Sequence, residues 1–180
     1  MDVITENVKQ KLLGKIRNVP DFPKPGIQFK DITPLLADAE SLKLTSRILA
    51  EPFDSSDVDF VAGLESRGFL FGPDLAQKLN AGFIPVRKPG KLPAETLKHS
   101  YELEYGTDSL EIHEDALQKG ANVIIHDDLI ATGGTALAAA ELIKKLGGNI
   151  TGFSFIMELK FLKGKNHLPA DIPYHCILSV

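Results

Sequence analysis

Short runs of wholly apolar residues restrict what this chain can fold into more than any other feature. Phe60-Val61-Ala62 and Val123-Ile124-Ile125 put apolar side chains at consecutive positions, so a strand built from either must be covered on both faces. Residues 150–157 and 174–178 supply two further strands, and 83–87 are extended. Helical patterns alternate with them over 69–79 and 134–146, the latter ending at Gly147-Gly148, where a C-cap belongs. The alternation predicts an α/β fold: a central, mostly parallel sheet flanked by helices. Ligands of such sheets bind outside the carboxyl ends of the strands. Chemistry is therefore expected just after Ala62, Arg87 and Ile125.

Upstream, Ile4, Val8, Leu12, Leu13 and Ile16 share one helical face. The segment Pro20-Asp21-Phe22-Pro23-Lys24-Pro25-Gly26 stops that helix, because prolines and glycine cannot continue it. An extended piece over 27–32 and a second helix over 39–50 follow. Residues 88–97 carry two prolines and a glycine among charges, which predicts a mobile loop. Tyr101-Glu102-Leu103-Glu104-Tyr105 alternates with period two and is expected to pair with 109–112 across Gly106-Thr107-Asp108.

With 180 residues, 43% of them hydrophobic and 24% charged, the chain is sized for one globular domain. Such a domain buries roughly 70% of its unfolded surface and needs no metal or disulfide staple. The net charge of −4 argues against nucleic acid or an anionic membrane as partner. Cys176 is the sole cysteine, so no internal disulfide or thiolate zinc cluster forms; within Cys176-Ile177-Leu178 it reads as a buried, inert thiol. No run approaches the roughly 18 apolar residues of a membrane span. The first residues lack a basic region followed by an apolar core, so a cytoplasmic protein is expected.

The most informative segment is 123–135, followed by Ala136-Leu137-Ala138-Ala139-Ala140. An apolar strand runs into Asp127-Asp128, and Ala131-Thr132-Gly133-Gly134-Thr135 leads into an alanine-rich helix. Unsatisfied N–H groups and the dipole at a helix start favour an anion. Glycines let the backbone approach a phosphate closely, and threonine hydroxyls add hydrogen bonds. The carboxylates would repel that phosphate but suit ribose hydroxyls or Mg²⁺ beside it. A capped helix after a polar turn is the plainer reading of the Thr-Gly-Gly-Thr stretch alone. Neither GxxxxGK[ST] nor GxGxxG occurs, which disfavours a P-loop or a dinucleotide fold.

Residues 123–135 resemble the 5-phosphoribosyl-1-pyrophosphate (PRPP) signature of the type I phosphoribosyltransferases. The similarity extends to Pro20-Asp21-Phe22-Pro23 with Pro25-Gly26-Ile27, and to Ala62-Gly63-Leu64-Glu65-Ser66-Arg67-Gly68-Phe69. It also takes in Arg87-Lys88-Pro89-Gly90-Lys91-Leu92-Pro93, Tyr101 and Leu103-Glu104-Tyr105-Gly106. Together these resemble the adenine-using branch of the family over nearly the whole chain. The resemblance implies purine salvage: adenine and PRPP give AMP and pyrophosphate through an oxocarbenium-like transition state, with Mg²⁺ on the PRPP. It also implies a single domain with an N-terminal hood over about 1–35, a flexible catalytic loop over about 95–113, and a homodimer.

The same resemblance assigns roles. Ala131, Thr132, Gly133, Gly134 and Thr135 would bind the 5′-phosphate, while Asp127 and Asp128 hold the ribose and help position Mg²⁺. Ser66, Arg67, Arg87, Lys88 and Lys91 would take the pyrophosphate, with Glu65-Ser66 a cis peptide; a solvated charge run is the plainer reading of the last three cations. Glu104 would act on adenine N7, although period two equally makes Glu102 and Glu104 the wet face of a strand. Tyr105 would pack on the substrates or on a neighbouring subunit. The backbones of Gln28 and Lys30 would read adenine, with Leu129 and Phe22 sandwiching the ring.

Gln28 and Lys30 depart from the residues usual in the family, as does His126. For His126 the readings are a core histidine bonded to backbone, a partner to Asp128, or a dimer contact. Two other functions stay open at this stage: a phosphoribosyltransferase for a 6-oxopurine, and a PRPP-sensing regulatory protein.

Overall fold

The computed structural model describes residues 5–53, 57–103 and 106–180. The chain divides into two compact units, Met1–Ile48 and Leu49–Val180. In the first, helix α1 spans Glu6–Leu13 and is followed by strands β1, Arg17–Pro20, and β2, Gln28–Asp31. These pair antiparallel, with Arg17 opposite Asp31 and Pro20 opposite Gln28. Ile16 thus lies beyond the helix the apolar spacing implied, and β1 has no counterpart in the sequence reading. Arg17 Nε donates to Asp31 Oδ2 at 2.9 Å across the pair. A short helix α2, Thr33–Ala37, was also not foreseen; α3, Ala39–Ala50, has the bounds its apolar pattern gives.

The second unit is built on a five-stranded sheet. Its strands are β3 (Phe60–Leu64), β4 (Gly82–Val86), β7 (Asn122–Ile130), β8 (Asn149–Glu158) and β9 (Tyr174–Ser179), in spatial order β4-β3-β7-β8-β9. Every neighbouring pair is parallel. Consecutive residues such as Val123, Ile124 and Ile125 are all fully buried, so both faces are covered, as the apolar runs require. Helix α4, Gly72–Lys78, packs on β3 and β4, and α5, Gly134–Lys145, packs on β3, β7 and β8. The helical pattern over 69–79 is interrupted in the fold: Arg67–Phe69 form a 3-10 turn before α4 begins.

Between β4 and β7 the chain makes a hairpin of β5 (Thr96–Leu103) and β6 (Gly106–His113). Leu103 stands opposite Gly106, so Gly106-Thr107-Asp108 belong to a strand and not to the turn expected there. Thr96 and Leu97, expected in a loop, already belong to β5. Leu110 and Ile112 are fully buried, and Arg87 and Glu111 exchange both backbone hydrogen bonds, at 2.9 and 2.7 Å. The base of the hairpin is thereby fixed to the end of β4.

His126 on β7 has no exposed surface, and its Nδ1 lies 3.1 Å from the Ser154 carbonyl oxygen on β8. It is a core histidine bonded to backbone. Burial pushes its pKa from 6.5 down to about 4. Because the folded value lies below the unfolded one, His126 stabilises the fold fully above pH 6.5, and that contribution is lost as the pH falls toward 4. Urea midpoints of the wild type should decline across this window. His126→Val should remove about 3 kcal/mol of that decline, and parallel profiles for the two proteins would contradict the assignment.

Candidate active site

The strand order reverses direction between β3 and β7, which is where sheets of this kind bind ligands. Past the end of β3, the Glu65–Ser66 peptide is cis and the chain enters the turn at Arg67. A Cβ on Gly68 would fall 2.7 Å from the His126 carbonyl oxygen, so only glycine lets this turn lie directly on β7. Arg67 is thereby brought to the second strand, its Nη1 3.1 Å from Asp128 Oδ2.

Asp127 and Asp128 lie within β7, which continues to Ile130 and does not end before the acid pair. Asp128 is 2% exposed and Asp127 half-buried. The Asp128 N–H donates to Asp127 Oδ1 at 2.8 Å. Burial, reinforced by the negative charge of Asp128, raises the Asp127 pKa well above the usual carboxylate range. Burial also raises that of Asp128, and the Arg67 guanidinium limits the rise.

The loop 131–135 follows. Gly133 caps α5 with φ +86°, a left-handed conformation that suits glycine, and its carbonyl accepts from Leu137 N–H at 3.0 Å. Asp127, Leu129, Ala131, Thr132, Gly133 and Thr135 are among the residues lining a cavity of about 170 Å³. This is room for a phosphoryl group against the helix start. The expected phosphate loop, one of the two expected carboxylates and Leu129 are thus brought to one place.

The hairpin reaches the same loop. Tyr101 Oη lies 3.2 Å from Thr135 Oγ1 and donates to Asp108 Oδ2 at 3.2 Å. With the phenolic hydrogen on Asp108, Thr135 is the donor to Tyr101. The Tyr101 ring covers Gly134, where an added Cβ would sit 3.5 Å from it. Lys88 forms an ion pair with Asp108. Burial raises the Tyr101 pKa. Burial also acts upward on Asp108, but the Lys88 hydrogen bond and the Ser109 N–H outweigh it, and the net shift is down.

Of the remaining cations, Arg87 is similarly engaged. Arg87 Nε donates to Glu65 Oε2 at 3.1 Å, Nη1 donates to the Lys91 carbonyl at 3.1 Å, and the guanidinium lies 5.8 Å from the Phe69 ring centre. The Lys88 N–H also donates to Glu65, at 2.8 Å. Burial raises the Glu65 pKa, but these donors outweigh it and the net shift is down. Lys91 and Ser66 are exposed.

Phe22, Gln28 and Lys30 belong to the N-terminal unit. There Phe22 meets Phe29 edge to face at 5.1 Å, with the Phe22–Pro23 peptide cis, and Lys30 Nζ donates to Asn18 Oδ1 at 2.7 Å. Glu104 and Tyr105 lie outside the described residues.

Two residues touching the phosphate loop have no signal in the sequence. After β8 the chain makes two 3-10 turns, Lys160–Leu162 and Gly164–His167. A Cβ on Gly164 would fall 2.1 Å from the Ala131 carbonyl oxygen, and His167 Nδ1 lies 2.7 Å from the Thr132 carbonyl oxygen. Both contacts span more than thirty positions of chain, so no local pattern records them.

A phosphoribosyl transferase domain model matches residues 32–166. Adenine phosphoribosyltransferase of Crocosphaera subtropica is 60% identical over 160 residues, covering 88% of this chain and 93% of that protein. The crystal structure of adenine phosphoribosyltransferase from Rhodothermus marinus superposes with TM-score 0.94 at 52% identity, covering 98% of this chain and all of that one. The Saccharomyces cerevisiae enzyme, solved with adenine and an imino-altritol bisphosphate, has TM-score 0.89 at 44% identity, covering 97% of this chain and 100% of that one. The family model, the identities and the shared fold agree: this chain belongs to the phosphoribosyltransferases, among the adenine phosphoribosyltransferases of purine salvage.

Proposed function

We propose that the groove at the carboxyl ends of β3 and β7 carries out the transfer of the 5-phosphoribosyl group from PRPP to adenine, giving AMP and pyrophosphate. The observation that carries this is the adjacent Asp127–Asp128 pair, its buried Asp128 held by Arg67, leading into the loop that caps α5. In the reaction the bond from ribose C1 to pyrophosphate oxygen breaks, and a bond from C1 to a purine nitrogen forms. The departing pyrophosphate keeps the electron pair, and the purine loses a proton. The sugar passes through an oxocarbenium-like state, so catalysis needs a fixed ribose, a stabilised leaving anion and little water.

Residues 131–135 grip the 5′-phosphate through backbone N–H groups and the hydroxyls of Thr132 and Thr135. Asp127 and Asp128 accept hydrogen bonds from the ribose hydroxyls, fixing the sugar while C1 moves toward the base. Ser66, Arg67, Arg87, Lys88 and Lys91 serve the pyrophosphate. Of these, Arg67 and Lys88 act directly by exchanging an aspartate for a phosphate oxygen, whereas Arg87 holds Glu65 and the Lys91 backbone in place. The roles in adenine binding given to the backbones of Gln28 and Lys30 and to the side chains of Phe22 and Leu129 are assigned from the sequence resemblance. Glu104 is assigned to adenine N7 and Tyr105 to packing on the substrates, both from the sequence resemblance.

Among the described residues no group of three His, Cys, Asp or Glu side chains is placed to hold a metal. Two adjacent carboxylates do fit Mg²⁺ carried mainly by phosphate oxygens and water, with Asp127 and Asp128 beside it. Bound in that way, Mg²⁺ supplies charge neutralisation on the pyrophosphate. A cytoplasmic homodimer completes the proposal, on resemblance to the family.

AMP formation measured with adenine, hypoxanthine and guanine, each with PRPP and Mg²⁺, should show turnover with adenine alone; a preference for hypoxanthine would refute the adenine assignment. Arg67→Ala should weaken pyrophosphate binding by roughly 10-fold, the scale of one charge-assisted hydrogen bond, and weaken AMP binding less. Equal losses for both ligands would remove Arg67 from the pyrophosphate site.

The acid pair supports a prediction that joins activity to stability. The folded pKa of Asp127 is raised, so the stabilisation from its neutral form is present at low pH and lost as the pH rises through the folded value. Asp127→Asn should therefore lower turnover and raise the KM for PRPP, yet increase the melting temperature near pH 8 by about 2–5 °C. A variant as active as the wild type, or one less stable at that pH, would count against the role given to this pair.

A further inference from the structure

We propose that His167 is a positioning residue for the PRPP phosphate loop, acting through the Thr132 carbonyl. The proposal rests on the reading of 131–135 as the 5′-phosphate site and adds to it a residue from a separate part of the chain.

The contact is short and directional. Nδ1 of His167 lies 2.7 Å from the Thr132 carbonyl oxygen. A carbonyl oxygen only accepts, so Nδ1 holds the hydrogen, and this is true of both the neutral tautomer and the protonated ring. The peptide joining Thr132 to Gly133 is trans, and in a trans peptide the C=O and the following N–H point in opposite directions. Holding the Thr132 oxygen on His167 therefore turns the Gly133 N–H to the other side of the loop. Gly133 and Thr132 both line the 170 Å³ cavity in front of α5. One imidazole thus sets the orientation of a peptide unit that an anion in this cavity would meet.

The rest of the 3-10 turn makes the contact exact in its spacing. Gly164, in the same turn as His167, is buried against the loop, and a Cβ there would fall 2.1 Å from the Ala131 carbonyl oxygen and 3.0 Å from Gly133 N. A Cβ on Gly133 would in turn fall 2.7 Å from the Gly164 carbonyl oxygen. Two glycines face each other without side chains, so backbone rests on backbone, and the turn beginning at Gly164 carries His167 to Thr132. Lys163, just before it, takes φ +53°, the left-handed conformation that turns the chain into this approach. The imidazole is exposed, which sets it apart from a residue kept for core packing.

The test compares His167→Ala with His167→Asn, because the asparagine amide nitrogen occupies nearly the place of Nδ1. His167→Ala should raise the KM for PRPP roughly 5-fold, the worth of one hydrogen bond, and leave the KM for adenine within about 2-fold. Calorimetry with ribose 5-phosphate should show a matching loss, roughly 5-fold in Kd, independent of turnover. His167→Asn should bring both values back to within about 2-fold of wild type. An unchanged KM for PRPP in His167→Ala overturns the proposal, as does an equal rise for both substrates or no recovery with asparagine. If the wild type itself binds no ribose 5-phosphate and makes no AMP, the phosphate-site reading fails first. A working wild type with an indifferent His167→Ala leaves that reading intact and removes His167 alone.

Discussion

Two carboxylates side by side near the carboxyl end of β7, Asp128 buried and Asp127 half-buried, are the constraint around which the site is arranged. Burial makes either acid costly to ionise there, and at Asp127 the negative charge of Asp128 adds to the cost. Arg67 is the compensating charge, and its position depends on β3 lying beside β7. It depends equally on Gly68, whose missing side chain lets the turn rest on the β7 backbone. A parallel sheet that reverses its strand order at this pair of strands thus supplies both the acids and the cation that makes them tolerable.

The loop 131–135 is held from two sides. On one, Gly164 and His167 bear on the backbone of 131–133. On the other, Tyr101 covers Gly134 and takes the hydrogen of Thr135. The supports come from the turn after β8 and from the hairpin between β4 and β7. A loop so supported has little freedom left to lose when an anion arrives, which is how fixed dipoles become effective binding groups.

What could be read in the sequence follows from the range over which each signal acts. The apolar runs of β3 and β7 and the helical face of α3 are local patterns, and they give the sheet, its burial and the 39–50 helix directly. The phosphate loop is equally local, because thirteen consecutive residues carry strand, acids, glycines and helix start. The extent of β7 was missed because its polar residues are held in the ladder by β8, with Asp127 opposite Phe155 and Ile130 opposite Glu158. In the hairpin, Gly106-Thr107-Asp108 look like a turn by composition, yet they are paired with Leu103, Glu102 and Tyr101. The helix expected from Phe69 starts only at Gly72, where an added Cβ would strike the Phe83 ring of β4 at 2.5 Å. His167 and Gly164 were invisible because their significance lies wholly in a neighbour distant along the chain.

The cluster Arg67, Arg87, Lys88 and Lys91 looks, along the sequence, like a positive patch waiting for an anion. In space Arg67 faces Asp128, Arg87 faces Glu65, and Lys88 faces Asp108. Three of the four cations are thus already matched with carboxylates. On the proposed assignment, a polyanionic substrate would trade places with the aspartates that Arg67 and Lys88 now hold. Such an exchange would release an internal acid for each phosphate oxygen gained, so salt would have less hold over it than over a bare basic surface. On the proposed assignment, the pairing would favour a ligand able to replace two aspartates at once over a stray anion that can replace only one.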